Sequence, residues 1–348
     1  MCLPMRRLRS VPGTAASRSC AVLLSVLAAL ACGACGASGS SSPTGPGIHP
    51  TGTAQASGSG TETGTATVAL PGTGKPQVTI GDKNYTEQFL LGELYTLALQ
   101  AQGFSVALNQ NIGPTDVTLQ AMSTGALDLY PEYINVFNAS VAGYRRTFGS
   151  QVAAYGAAQR YAGAHGMALL TATPFSDTPA LAVTVGYAEG NHLQSLHDLG
   201  RIQANMILGG PPEFEEMRPG LADIERAYGF KVKTFKDLAV GDQYAALNED
   251  SIQVADVNTT DGQLASGDYS LLTDPKNAFG WGNAMPVVSA KTLITEGPAF
   301  AVTIDRVSAL LTTPIMRELN AAVDVAGQDP ATVAKTFLET HGVIPPAS

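Results

Sequence analysis

From Val78 to the end of the 348-residue chain, short apolar strands alternate with helix-spaced apolar stripes, and this alternation constrains the fold more than any other feature. Val78–Ile80 reads as a strand. Thr86 can cap the helix that follows, where Phe89, Leu90, Leu94, Leu97, Ala98 and Ala101 recur at helical spacing. Gly103 stops that helix; Phe104–Leu108 is the next strand, Val117–Ser123 the next helix and Leu127–Leu129 a third strand. A second run places strands at Leu181–Val185, Met206–Leu208, Lys231–Thr234 and Ile252–Val257, with a helix at Leu221–Tyr228. Pro286–Val288 and Ala299–Val302 return to strand character, and Val307–Val325 and Pro330–His341 read as closing helices. The rhythm implies an α/β chain with parallel sheets covered by helices on both faces.

None of the first 76 residues is expected to contribute to this core. Residues 1–31 read as a secretory signal: Arg6, Arg7, Arg9 and Arg18 form a basic head, and Cys20–Ala31 is an apolar run broken only by Ser25. That run is too short to span a bilayer as a mature helix. It ends Ala29-Leu30-Ala31-Cys32, a small-residue pattern at which a bacterial cysteine is lipidated, and Cys32 fits it better than Cys35. Residues 32–76 then form a linker; Gly33–Gly74 is almost entirely Gly, Ser, Thr, Ala and Pro, with Glu62 its one formal charge. Such a segment cannot bury enough apolar surface to offset its ordering entropy, so a disordered stalk is expected, with glycosylation a second reading of its composition.

Charge and chemistry exclude several function classes. The formal net charge of −9 falls to −13 once the four signal arginines are removed, which disfavours nucleic acid and anionic lipid as partners. All four cysteines (Cys2, Cys20, Cys32, Cys35) precede the folded body, so it has no disulfide framework, cysteine nucleophile or cysteine-held metal. The five histidines (His49, His165, His192, His197, His341) are scattered, and no zinc-protease motif, nucleophile elbow or phosphate-binding glycine loop occurs. Neither catalysis nor a cofactor or metal is expected.

Several segments appear in an informative order. Ile80-Gly81-Asp82-Lys83-Asn84-Tyr85-Thr86-Glu87-Gln88 is followed by Asp128-Leu129-Tyr130-Pro131-Glu132-Tyr133, then by Pro174-Phe175-Ser176-Asp177-Thr178. Next come Gly209-Gly210-Pro211-Pro212-Glu213-Phe214, Asp256-Val257-Asn258-Thr259-Thr260-Asp261-Gly262 and Asn283-Ala284-Met285-Pro286-Val287-Val288. In this order and spacing they resemble the extracellular solute-binding proteins of ABC importers for glycine betaine, choline and carnitine.

The resemblance implies a two-lobed clamshell of the type II periplasmic-binding-protein class with two crossing hinge strands, placed near Pro179–Val183 and Met285–Val288. Lobe I is then residues 77–179 with 285–348, and lobe II is residues 180–284. It implies a monomeric lipoprotein on the outer face of the cell membrane that passes solute to a permease and its ATPase. A quaternary ammonium offers no hydrogen-bond donor and is held by aromatic faces, and a carboxylate tail by Lys, Arg or N–H groups. The implied ligand set is Lys83, Tyr133, Asp177, Thr178, Arg218, Asn258, Thr259, Trp281 and Asn283.

Agreement with a four-tyrosine cage is partial, because Pro179, Asn258 and Gly282 stand where relatives place tyrosines. Met217 takes the place of a carboxylate-binding arginine, with Arg218 adjacent. Either nearby aromatics (Trp281, Phe175, Tyr130, Tyr244) refill the cage, or the subgroup binds a more polar solute such as an amine or amino acid. A lipoprotein sensor or adhesion module without transport is the reading from another class. On residues alone Lys83 reads as a solvated charge, Tyr133 as a core residue and Asp261-Gly262 as a turn; the resemblance assigns the first two to the site.

Overall fold

The computed structural model describes residues 69–346. The signal, Cys32 and the linker up to residue 68 lie outside the described residues. The last linker residues differ from the stalk expectation: Gly72 N–H donates to Gln102 O at 2.9 Å, and Lys75 Nζ donates to Thr295 O at 2.8 Å. The chain is therefore attached to the body before its first strand begins.

Among the described residues, ten strands form two five-stranded sheets. The first contains β1 (Val78–Gly81), β2 (Val106–Asn109), β3 (Leu129–Tyr133), β4 (Met167–Leu169) and β10 (Ala284–Ser289), in the order β2-β1-β3-β10-β4. The second contains β5 (Pro179–Thr184), β6 (Ile207–Gly210), β7 (Thr234–Asp237), β8 (Val254–Asn258) and β9 (Tyr269–Leu271), in the order β7-β6-β8-β5-β9. Both sheets are mixed rather than wholly parallel. β10 runs antiparallel to β3 and β4, and β5 antiparallel to β8 and β9. The physical reason is the crossing of the chain, since each of these strands is entered from the other sheet and so runs against its neighbours.

The first core lies between its sheet and the helices Thr86–Ala101, Pro298–Leu310 and Pro330–Thr340. Leu90, Leu91, Leu94, Tyr95, Ala98 and Leu99 on the first helix meet Phe300, Ile304, Val307 and Leu338. Each fully buried leucine contributes about 1.5–3 kcal/mol. The Tyr95 hydroxyl is hydrogen-bonded to Ser308 Oγ at 2.9 Å inside this core. The second sheet has its own clusters, one around Leu181, Leu208, Phe214 and Val254 and another around Tyr244, Leu247 and Ala255.

Two sequence readings are corrected. Ala299–Val302 is not a strand but the start of the helix Pro298–Leu310, which follows Gly297 and begins with Pro298 at a position where a missing N–H costs nothing. The closing helix expected over Val307–Val325 is two helices, Pro298–Leu310 and Thr313–Asp324, separated at Leu311-Thr312. Pro314 cannot donate to the preceding turn, so the helix restarts there. The freed Leu311 carbonyl accepts from Phe175 N–H at 2.9 Å and anchors the first crossing segment.

Candidate ligand-binding cleft

The chain passes from the first sheet to the second before Pro179 and returns before Ala284, and the two crossing segments pair with each other. Ser176 and Asn283 form an antiparallel bridge, and Asp177 N–H donates to Gly282 O at 2.9 Å. Asn283 Nδ2 donates to Thr173 O at 3.1 Å and to Phe175 O at 3.0 Å. Thr259 ties β8 to the same place, its hydroxyl donating to Ser176 O at 2.6 Å and its N–H to Thr178 O at 2.9 Å. Both hinge strands expected from sequence sit a few residues too late: Pro179–Val183 lies within the second sheet and Met285–Val288 within the first.

Gly282 is required by this crossing. A Cβ there would lie 1.7 Å from Asp177 O, a contact no side chain can make. The position where relatives can carry a tyrosine is therefore closed to any side chain in this chain.

On one side of the crossing lies a cavity of about 620 Å³, walled by strands and loops of the second sheet, by Tyr85, Thr86 and Glu87 at the start of the first helix and by the helix Thr313–Asp324. Six of its lining residues are carboxylic acids: Glu87, Asp177, Glu213, Asp256, Asp261 and Asp324. Tyr85, Phe214 and Tyr244 supply aromatic surface, and among the described residues lining the cavity there is no lysine, arginine or histidine. The acids are held in defined positions. Glu87 accepts from the Tyr133 hydroxyl at 2.7 Å and from Asn320 Nδ2 at 2.9 Å. Asp261 accepts from the Tyr244 hydroxyl at 2.7 Å and from Asn258 N–H at 3.1 Å.

Burial sets the electrostatics. It pushes the Asp256 carboxyl up to about 8, with Asp261 adding to the effect. Burial raises Glu87 and Asp261 as well, against the donors that stabilise their anions. The Asp177 carboxyl is raised by burial and by the neighbouring Glu87 and Asp261. A cation brought among these groups would relieve their mutual repulsion and favour their ionised forms.

The residues singled out from sequence divide into four groups. Asp177 and Asn258 line the cavity. Tyr133 lies directly behind it, stacked on Tyr85 with ring centroids 6.3 Å apart. Thr178, Thr259, Trp281 and Asn283 line a different cavity of about 510 Å³, on the reverse side of the crossing, where Trp281 Nε1 donates to Phe148 O at 3.0 Å.

Lys83 and Arg218 are away from the cavity. Lys83 is buried and ion-paired with Glu132, which also accepts from Tyr133 N–H at 2.9 Å and the Thr115 hydroxyl at 3.2 Å. The Arg218 side chain is 74% exposed and sits 3.4 Å from Asp223, while its neighbour Met217 lines the cavity. Neither cation is placed to grip a ligand carboxylate. Of the aromatics offered from sequence to refill the cage, Tyr244 lines the cavity, whereas Phe175 and Tyr130 are fully buried in cores.

Residues 76–340 match the model of the substrate-binding domain of ABC-type glycine betaine transport systems. The chain belongs to that family. It is similar to a glycine-betaine-binding protein of Pseudomonas aeruginosa, 31% identical over 286 residues that cover 76% of this chain and 88% of the relative. It is also similar to the glycine betaine-binding protein YehZ of Escherichia coli, 29% identical over 300 residues, covering 80% of this chain and 94% of the relative. Among solved structures, apo YehZ superposes with a TM-score of 0.67 at 30% identity, covering 77% of this chain and 99% of that one. A glycine betaine/carnitine/choline ABC transporter structure gives a TM-score of 0.72 at 24% identity, over 76% of this chain and 99% of that one. The shared fold is the two-lobed type II clamshell of periplasmic binding proteins. The family consists of transporter binding proteins rather than enzymes.

Glu87, Asp256, Asp261 and Asn320 lie on the cavity wall but were not picked out as ligand residues from sequence. Asp256 was detectable in principle, because an acid inside the apolar run Val254–Val257 needs a reason to be there. Asn320 carried no such sign, being one polar residue on an amphipathic helix far along the chain.

Proposed function

We propose that this chain captures a small organic cation of the quaternary-amine, osmoprotectant class between its lobes and delivers it to an ABC permease and its ATPase. The lobes are divided at the crossing segments, which end just before Pro179 and just before Ala284. Closure about the paired crossing segments traps the solute. A diacylated Cys32 holds the monomer on the outer face of the membrane, and Cys32→Ala would move it from the membrane fraction to the soluble one.

The observation that carries this reading is the composition of the cavity wall, six carboxylic acids with three aromatic side chains and no cationic one. Aromatic faces attract an onium head by about 0.5–2 kcal/mol each. The acids supply its counter-charge. A ligand carboxylate, by contrast, would meet only like charge, so choline fits the wall better than glycine betaine. Calorimetric titration of the purified chain with choline, carnitine and glycine betaine tests this. Choline is expected to bind most tightly; tighter binding of glycine betaine, or heat from none of the three, rejects the reading.

A further inference from the structure

Three buried oxygens on the cavity wall accept no hydrogen bond from the protein: Asp177 Oδ1, Asp256 Oδ1 and Asn320 Oδ1. They come from three different elements, namely the first crossing segment, β8 and the helix Thr313–Asp324. Asp256 is 9% exposed and Asn320 4%. The orientation of the Asn320 amide is dictated by its partners, since Nδ2 donates to Glu87 Oε2 at 2.9 Å and to Thr260 O at 2.8 Å, and the Thr260 carbonyl can only accept. Its oxygen is thereby left over. Gly210 gives Asp256 the space to sit where it does, because a Cβ on that glycine would lie 2.7 Å from Asp256 Cβ.

All three leftover atoms are acceptors once the two carboxyls are ionised, the form that a bound cation favours. They are already shielded from water without partners, and a quaternary ammonium has no hydrogen to give them, so it leaves that unfavourable state in place for each. A cation that carries N–H groups answers both the charge and the acceptors at once. We propose that the cleft prefers cations bearing N–H donors, a protonated primary amine or a guanidinium without a carboxylate, over fully methylated ones. This rests on the cleft being the solute site, and it extends the solute class from onium head-groups to N–H cations.

The test is a series of one skeleton at constant charge: ethanolamine, N-methylethanolamine, N,N-dimethylethanolamine and choline, titrated calorimetrically into the full chain at pH 7. Affinity is expected to fall at least tenfold from ethanolamine to choline. In Asp256→Leu the loss of charge weakens both ends of the series alike, whereas the loss of an acceptor weakens only ethanolamine. The ethanolamine-to-choline ratio should therefore shrink at least threefold, with folding checked by circular dichroism. Choline binding as tightly as ethanolamine overturns the inference while leaving the cleft as the solute site. No binding by any member, with none by glycine betaine, overturns both. An unchanged ratio in Asp256→Leu overturns the role given to Asp256, and the parent series stands on its own if that variant does not fold.

Discussion

The hydroxyl of Tyr133, at the end of β3, donates to Glu87 in the first turn of the helix Thr86–Ala101, 2.7 Å away, while Asn320 from near the C-terminus takes the other carboxylate oxygen. Three distant stretches of chain thus converge on one acid at the cavity wall. Tyr133 acts behind the ligand surface, holding Glu87 and stacking under Tyr85.

Tyr133→Phe keeps the ring and removes the donor. With a buried Glu87 oxygen left short of a partner, unfolding free energy should fall by about 1–3 kcal/mol. Urea denaturation measures this, and an unchanged midpoint and slope would remove the role assigned to the hydroxyl.

Lys83 is assigned a structural role by its pairing with Glu132, a residue with no solvent exposure. Lys83→Met strands that carboxylate in the core and should cost about 3–5 kcal/mol, whereas Lys83→Met with Glu132→Leu recovers most of it. Ligand affinity of the folded protein should stay at the parent value in both. A selective loss of affinity with normal stability would return Lys83 to the binding surface.

Gly282→Ala places a methyl group against the Asp177 carbonyl at the crossing. The segments must separate to admit it, so both the melting temperature and choline affinity should drop together. An alanine variant that melts and binds like the parent would show that the crossing tolerates displacement.

Cation affinity should rise with pH. Asp256 carries a proton below about 8, and Glu87, Asp177 and Asp261 around the same cavity are raised too. A bound cation favours the ionised forms, so at lower pH binding must first expel protons; Arg317, on the far side of Asp261, offsets only that one acid. Choline keeps its charge throughout, so its affinity from pH 6 to pH 9 reports the protein alone. The rise is at most about tenfold per pH unit for each proton released, and the share due to Asp256 should level off above about pH 8. A flat or falling profile would contradict the carboxyl cluster as the counter-charge.

Much of the architecture was legible along the chain. The stripe Leu90, Leu94, Ala98 gave the first helix, and the apolar runs gave most strands to within a few residues. Sheet direction was not legible, because β10 and β5 look like any apolar strand and become antiparallel only through the crossing. Lys83 misled for a related reason. A lysine before a helix reads as exposed, and its partner Glu132 lies 49 positions away.

What the sequence by itself determined was the family and the clamshell class, since local apolar periodicity and ordered motifs are properties of short stretches. The character of the cleft was decided only by the tertiary structure. Glu87 and Asn320 are 233 positions apart, yet share a hydrogen bond on its wall. Whether a charge faces ligand, solvent or a buried partner depends on which distant strand packs beside it, and nothing in the residue's own neighbourhood records that choice.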